Sequence, residues 1–169
     1  MPKSPQNPNL SLKVKAIDAA LLDSLNESAR ASERHRSHFN LHDTLDDPFQ
    51  RMVVGIEPHS YIRPHRHQIT PKPESLFCLR GRIGVVIFDD SGESVQTIEL
   101  GSTGPTWGCD LEPGVWHSIV CLESGSAFVE SKPGPYVPFE PDDFAPWAPE
   151  PGPNAESYLT QLQQLFAAD

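Results

Sequence analysis

Residues Ser60 to Gly81 read SYIRPHRHQITPKPESLFCLRG, and EPGVWH follows at Glu112 to His117. Alternate side chains leave the same face of a β-strand, so His65 and His67 of the HRH triplet present two parallel imidazoles one strand repeat apart. Such a pair suits one cation. Glu74 opens the next apolar run and shares parity with Leu76 and Cys78, so in a neighbouring strand its carboxylate turns to the imidazole face. His117 follows a Pro113–Gly114 turn and adds a third imidazole. Three neutral nitrogens and one carboxylate leave positions open on a divalent ion, as chemistry on a bound ligand requires and a closed structural site does not allow. The expected metal ligands are therefore His65, His67, Glu74 and His117.

This combination resembles the two sequence motifs of the cupin superfamily: HxH, a glutamate, six residues to Gly81, then Pro-Gly-Val-Trp-His. The spacer from Gln68 to Pro73 is longer than those motifs usually have, His59 replaces their opening glycine, and Cys121 stands where they place an asparagine. The long spacer, the helix before it, ASERHRSHFNLH (Ala31 to His42), the run QRMVVGIEPHSYIRPHRH and the closing KPGPYVPFEPDDFAPW resemble the WbuC-type cupin-fold metalloproteins. That likeness covers roughly residues 16–147. It implies a small antiparallel double-sheet barrel, a divalent metal and a setting in bacterial surface-polysaccharide metabolism, without implying one particular reaction.

The residues themselves point to the same architecture. From Phe49 to about Ser131 the chain runs in short β-branched stretches punctuated by Gly, Pro and Asp. Strands are expected near Gln50–Glu57, Tyr61–His67, Ser75–Arg80, Arg82–Phe88, Ser94–Leu100, Thr106–Leu111, Ser118–Leu122 and Ala127–Ser131. Asp89–Gly92 (DDSG) reads as a hairpin turn and Gly101–Pro105 as a loop. The fold class is all-β, a cupin double-stranded β-helix or jelly-roll barrel, with an N-terminal helix and a Pro-rich tail ending in a C-terminal helix. No βαβ alternation supports a Rossmann arrangement.

Outside the barrel, residues 1–15 are rich in Pro, Asn, Ser and Lys and are expected to be disordered or loosely attached. The cupin domain with its helix is expected over 16–131, with Asp18 as helix cap and Leu21, Leu22, Leu25 and Ala29 as the apolar stripe. Arg30, Arg34, His35, Arg36, His38 and His42 then crowd one short stretch, able to clasp a phosphate or carboxylate or simply to be solvated. Over 132–169 a proline-rich segment should run extended, burying Tyr136, Phe139, Phe144 and Trp147 on the barrel or a partner subunit. The last helix carries Tyr158, Leu159, Leu162, Leu165 and Phe166 as a stripe for the barrel or for a homodimer contact.

Composition narrows the function. The chain has 169 residues, enough for one domain with a substantial core, and a formal net charge of -10, which argues against a nucleic-acid partner. The charge is lopsided: residues 1–82 hold twelve Lys/Arg and nine Asp/Glu, residues 83–169 one (Lys132) and fourteen. A cationic front half carrying the HxH motif suits attraction of an anionic ligand, or is ordinary surface variation. No run approaches a membrane span and the first residues hold no apolar leader, so a cytoplasmic protein is expected. Cys78 and Cys109 read as free buried thiols, and Cys121, sharing parity with His117, as a thiol near the site.

The imidazole and carboxylate donors suit Zn, Fe, Ni, Cu or Mn. Tyr61 and Arg63 share parity with His65 and are the expected catalytic pair, proton donor and anion clamp. The expected function is metal-dependent action on a small, carbohydrate-related or anionic molecule, as an isomerase or epimerase. The alternatives are an Fe(II) dioxygenase and a binding or sensing module without turnover.

Overall fold

Helix α1 (Ala19–Ala31) begins where Asp18 accepts a hydrogen bond from the Leu21 amide at 2.9 Å. The computed structural model describes residues 14–167, so residues 1–13 of the expected loose N-terminal segment lie outside the described residues. Eight strands follow: β1 (Arg36–Asn40), β2 (Phe49–Ile56), β3 (Glu74–Arg80), β4 (Arg82–Phe88), β5 (Ser94–Gly101), β6 (Gly108–Leu111), β7 (Trp116–Cys121) and β8 (Ser126–Pro133). A 3-10 turn at Pro141–Asp143 and helix α2 (Pro153–Gln164) complete the chain.

All pairings are antiparallel, in a five-stranded sheet of order β1-β2-β8-β3-β6 and a three-stranded sheet of order β5-β4-β7. The inner faces meet in one core: Val54, Ile56, Leu76, Cys78 and Phe128 from the larger sheet against Ile83, Val85, Leu100, Ile119 and Cys121 from the smaller. The result is an antiparallel β-sandwich flanked by an N-terminal and a C-terminal helix. α1 covers the outer face of the larger sheet, where Leu22 and Leu25 pack on Val53 and Ala127. Residues Ala145, Ala148, Leu159 and Leu162 cover the outer face of the smaller sheet against Val86, Phe88 and Val120. The α2 stripe, which on sequence also suited a dimer contact, is thus spent on the chain's own barrel, except for the exposed Leu165.

Two elements depart from expectation. Tyr61–His67 forms no strand and makes only isolated bridges from His65 to His117 and Phe144. Pro64 interrupts that segment, and a proline offers no N–H to a ladder. Conversely, Arg36–Asn40, read as a basic cluster, is an edge strand whose five residues pair with Met52–Ile56. Its composition favours no strand, and tertiary pairing overrides that local preference. The free thiols are placed nearly as expected, with Cys78 and Cys121 buried and Cys109 partly exposed. Cys121 packs in the core with its thiol toward the carbonyls of Ile56 and Glu123, not among the imidazoles.

Candidate metal centre

His65 is fixed by two backbone hydrogen bonds with His117, N to O at 3.0 Å and O to N at 2.9 Å, which lay the HxH segment along the free edge of β7. His67 follows two residues on. Glu74 is the first residue of β3, and His117 the second of β7, reached through the turn in which Gly114 takes a φ of 83°. The long spacer is tied down: Asp143 accepts from the amides of Gln68 and Ile69, and Lys72 donates to the Pro135 carbonyl. The insertion bulges toward the tail and Glu74 still returns to the imidazoles.

The four side chains offer one donor atom each, all within 4.8 Å of one another. Donors at roughly 2.0–2.2 Å from one ion lie at most about 4.4 Å apart, so small rotations bring all four onto a single cation. Glu74 and His117 are each 2% exposed and His65 7%. The Nδ1 atoms of His65 and His117 face the carbonyls of Arg63 and Val115 at 3.0 and 2.9 Å. A carbonyl can only accept, so both rings carry a proton on Nδ1, and in the neutral ring Nε2 is then the free lone pair, the outer-shell arrangement of a metal-ligating histidine.

Two of the imidazoles converge on one carboxylate oxygen. Nε2 of His117 lies 3.1 Å and Nε2 of His67 3.3 Å from the same oxygen, Oε2 of Glu74. For a neutral His117 that sets one lone pair against another, a buried repulsion that a proton or a metal ion between them removes. Burial raises the Glu74 carboxyl, yet hydrogen bonding to His117 and His67 and the Lys132 charge outweigh it and hold it well below the usual range. Burial and then the His117 charge push His65 well below its ordinary value, so its ring stays neutral and able to ligate.

Sequence reasoning missed the groups behind Glu74. Lys132 donates to Glu74 Oε1 at 3.2 Å and also bonds Glu130. Burial, then the Glu74 charge, raise the Glu130 carboxyl. Phe128, Glu130 and Lys132 alternate inward along β8, Phe128 being core. The signal was present: Lys132 is the only Lys or Arg after residue 82.

Tyr61 and Arg63, expected to line the site, do not join it. The Tyr61 hydroxyl donates to the Pro149 carbonyl at 2.8 Å and its ring packs edge-on to Tyr158. Arg63 donates to the Ala145 carbonyl, lies 3.6 Å from Glu150 and sits over the Phe144 ring. Strand parity fails because the segment is not a strand. Of the tail aromatics, Trp147 packs on Phe88 and Trp116, Tyr136 stays largely exposed, and Phe139 lies on the site, its ring centroid 4.9 Å from that of His65 and 5.1 Å from that of His67.

A cavity of about 170 Å³ opens beside the cluster, lined among others by Arg34, Arg36, His65, Glu74, Glu130 and Lys132. It is smaller than the roughly 300–1,000 Å³ of drug-sized ligand pockets, which fits a small molecule. Among the described residues no helix is long and apolar enough to cross a membrane.

A family model described as a domain of unknown function, DUF6016, matches residues 17–100, a span that includes His65, His67 and Glu74 but not His117. No curated protein matches the chain. Among solved structures it is similar to KdgF from Halomonas sp., at 16% identity and a TM-score of 0.47 over 60% of this chain and 82% of that one. Similarity extends to a cupin-2 domain protein from Shewanella frigidimarina, at 18% identity and a TM-score of 0.43 over 63% and 88% of the two chains. A cupin 2 domain-containing protein from Halorhodospira halophila aligns with 79% of this chain and 83% of its own, at 15% identity and a TM-score of 0.46.

Proposed function

We propose that the protein is a divalent-metal cupin that acts on a small, carbohydrate-related or anionic molecule, as an isomerase or epimerase of the WbuC type in surface-polysaccharide metabolism. The observation that carries this reading is the set of three imidazoles and one carboxylate converging in a buried cluster beside a small cavity that charged side chains also line. His65, His67, His117 and Oε2 of Glu74 would hold the ion. Bound there, a divalent cation supplies Lewis acidity toward a carbonyl or hydroxyl oxygen of the ligand.

The remaining work belongs to the chain. Lys132 keeps Glu74 charged and turned to the imidazoles. Glu130 is the further carboxyl on the cavity wall, with Lys132 beside it, so a carboxylate and an ammonium stand ready for proton transfer at a ligand carbon. Phe139 lies over His65 and His67 and limits the entry of water.

Proton exchange tests the reading. Metal-loaded protein incubated in D2O with sugars, sugar phosphates and nucleotide sugars is followed by NMR. Deuterium entering one carbon of one ligand, lost in Glu130→Gln while the metal is retained, is the result expected. Stabilisation by a ligand without exchange would instead make the protein a binding module, and oxygen uptake with bound iron would make it an oxygenase.

A further inference from the structure

We propose that Arg36, assisted by Arg34, forms an anion subsite in the cavity shared with His65 and Glu74, and that the ligand is a small polar molecule bearing a carboxylate or phosphate oxyanion. This rests on the reading above and names the ligand class for the same site.

Arg36 begins β1 and pairs with Ile56, whose side chain belongs to the barrel core, so Arg36 and its alternate His38 are turned to the inner side of the larger sheet. Nη1 of Arg36 donates to the Tyr61 carbonyl at 2.9 Å, to Ser60 Oγ at 3.2 Å and to the Arg34 carbonyl at 3.4 Å. These bonds fix one arm of the guanidinium. Its Nε and Nη2 make no hydrogen bond among the described residues, and no described carboxylate lies within ion-pair distance of Arg36 or Arg34. A partly buried guanidinium, held on one side and unpaired on the other, presents the flat fork that receives a carboxylate or phosphate through two parallel bonds.

The cavity's charge agrees. Arg34, at its exposed rim, Arg36 and Lys132 line it with Glu74 and Glu130, three cations against two carboxylates, and Lys132 is already engaged by both acids. One positive charge is in excess before any metal binds, and a divalent ion adds two more. Burial, then the Arg34 charge, lower Arg36 to about 10 against the pull of Glu130, so it stays cationic at neutral pH. Burial and Arg34 likewise lower His38, which leaves it a neutral donor or acceptor on the same wall. A cation kept in this environment without a partner is relieved by a bound anion.

The remainder of the basic stretch takes no part. Arg30 is paired with Glu57 at 2.8 Å, His35 packs on His59, and His42 bonds the Arg51 backbone. Of the six basic residues from Arg30 to His42, the fold delivers Arg34, Arg36 and His38 to the cavity.

Titration calorimetry on metal-loaded protein compares D-glucuronate and glucose 6-phosphate with D-glucose, whose ring matches theirs without the anion. At least one acidic sugar should bind tenfold or more tightly than glucose, and the stronger of the two says which oxyanion is meant. Arg36→Gln should bring the ratio near one while metal content by elemental analysis stays at the wild-type level. Arg36→Lys, which keeps the charge without the fork, should fall between. Should Arg36→Gln not fold, Arg34→Gln combined with Arg36→Lys takes its place, since the Arg34 side chain makes no hydrogen bond among the described residues. Acidic sugars binding no better than glucose, or an undiminished preference in the Arg36 variants, would overturn the proposal. The same titrations after chelation separate the two readings: an Arg36-dependent preference that survives without metal upholds the subsite even where the metal chemistry fails.

Discussion

Glu74 shows how one side chain joins two systems. Oε2 faces the imidazoles of His117 and His67, and Oε1 accepts from Lys132. Removing the cation from this buried group leaves two carboxylates facing each other, so Lys132→Ala should cost about 3–5 kcal/mol, the typical loss on breaking a buried ion pair. Chemical denaturation of the metal-free protein measures it, and adding Glu130→Gln should recover part of the loss. The sign of the pH dependence follows from the same group. Its folded carboxyl lies below the ordinary value, so its contribution is full above about pH 4.3, the unfolded value, and is lost as pH falls from there toward the folded one. Denaturation midpoints of metal-free protein from pH 6 to 3 should fall more steeply for the wild type than for Glu74→Gln. The four candidate ligands were legible because imidazole and carboxylate chemistry is written in residue type and spacing. Lys132 and Glu130 were not, since a charged residue on a strand is normally read as solvent-facing, and only the inward placement of Phe128 reveals their direction.

The strands show where periodicity informs and where it misleads. β3, β4 and β5 were legible within a residue or two at their ends, because apolar runs between turn residues leave little choice. β1 was not: RSHFN carries no apolar alternation, and its pairing with β2 creates the strand. The HxH segment failed in the opposite sense, with strand-like parity but Pro64 in its middle, and Tyr61 and Arg63 left the cavity as a result. α1 was legible down to its Asp18 cap, and its seat on the sheet is a close one. A Cβ on Gly55 would stand 2.9 Å from the backbone carbon and Cβ of Leu25. Gly55→Ala should therefore destabilise the protein by about 1–3 kcal/mol, the usual cost of overpacking, and lower the melting temperature without changing metal content.

Over the whole molecule the fold is a stack: α1, the larger sheet, the shared core, the smaller sheet, and a tail that closes the other side. The tail's proline content announced an extended path, but not that Phe139 would settle on the histidines while Asp143 tied down the spacer. Those contacts join residues more than seventy positions apart, and no local pattern encodes them. Phe139→Ala should leave the melting temperature nearly unchanged, as the residue is 38% exposed, and should let a chelator strip the ion several times faster in a stopped-flow assay. The charge asymmetry of the sequence also acquires a location, since Arg34 and Arg36 from the cationic half meet Lys132, the sole Lys or Arg after residue 82, in one cavity.

The measurement to make first is metal content by elemental analysis, on protein purified without a nickel column, for wild type beside His65→Ala and His117→Ala. Near one equivalent of a single divalent transition metal in the wild type, lost in both folded variants, is the result expected from a three-histidine, one-glutamate centre. No metal in the wild type, or the same metal content in all three proteins, would contradict it and leave the cluster a hydrogen-bonded polar centre of the barrel.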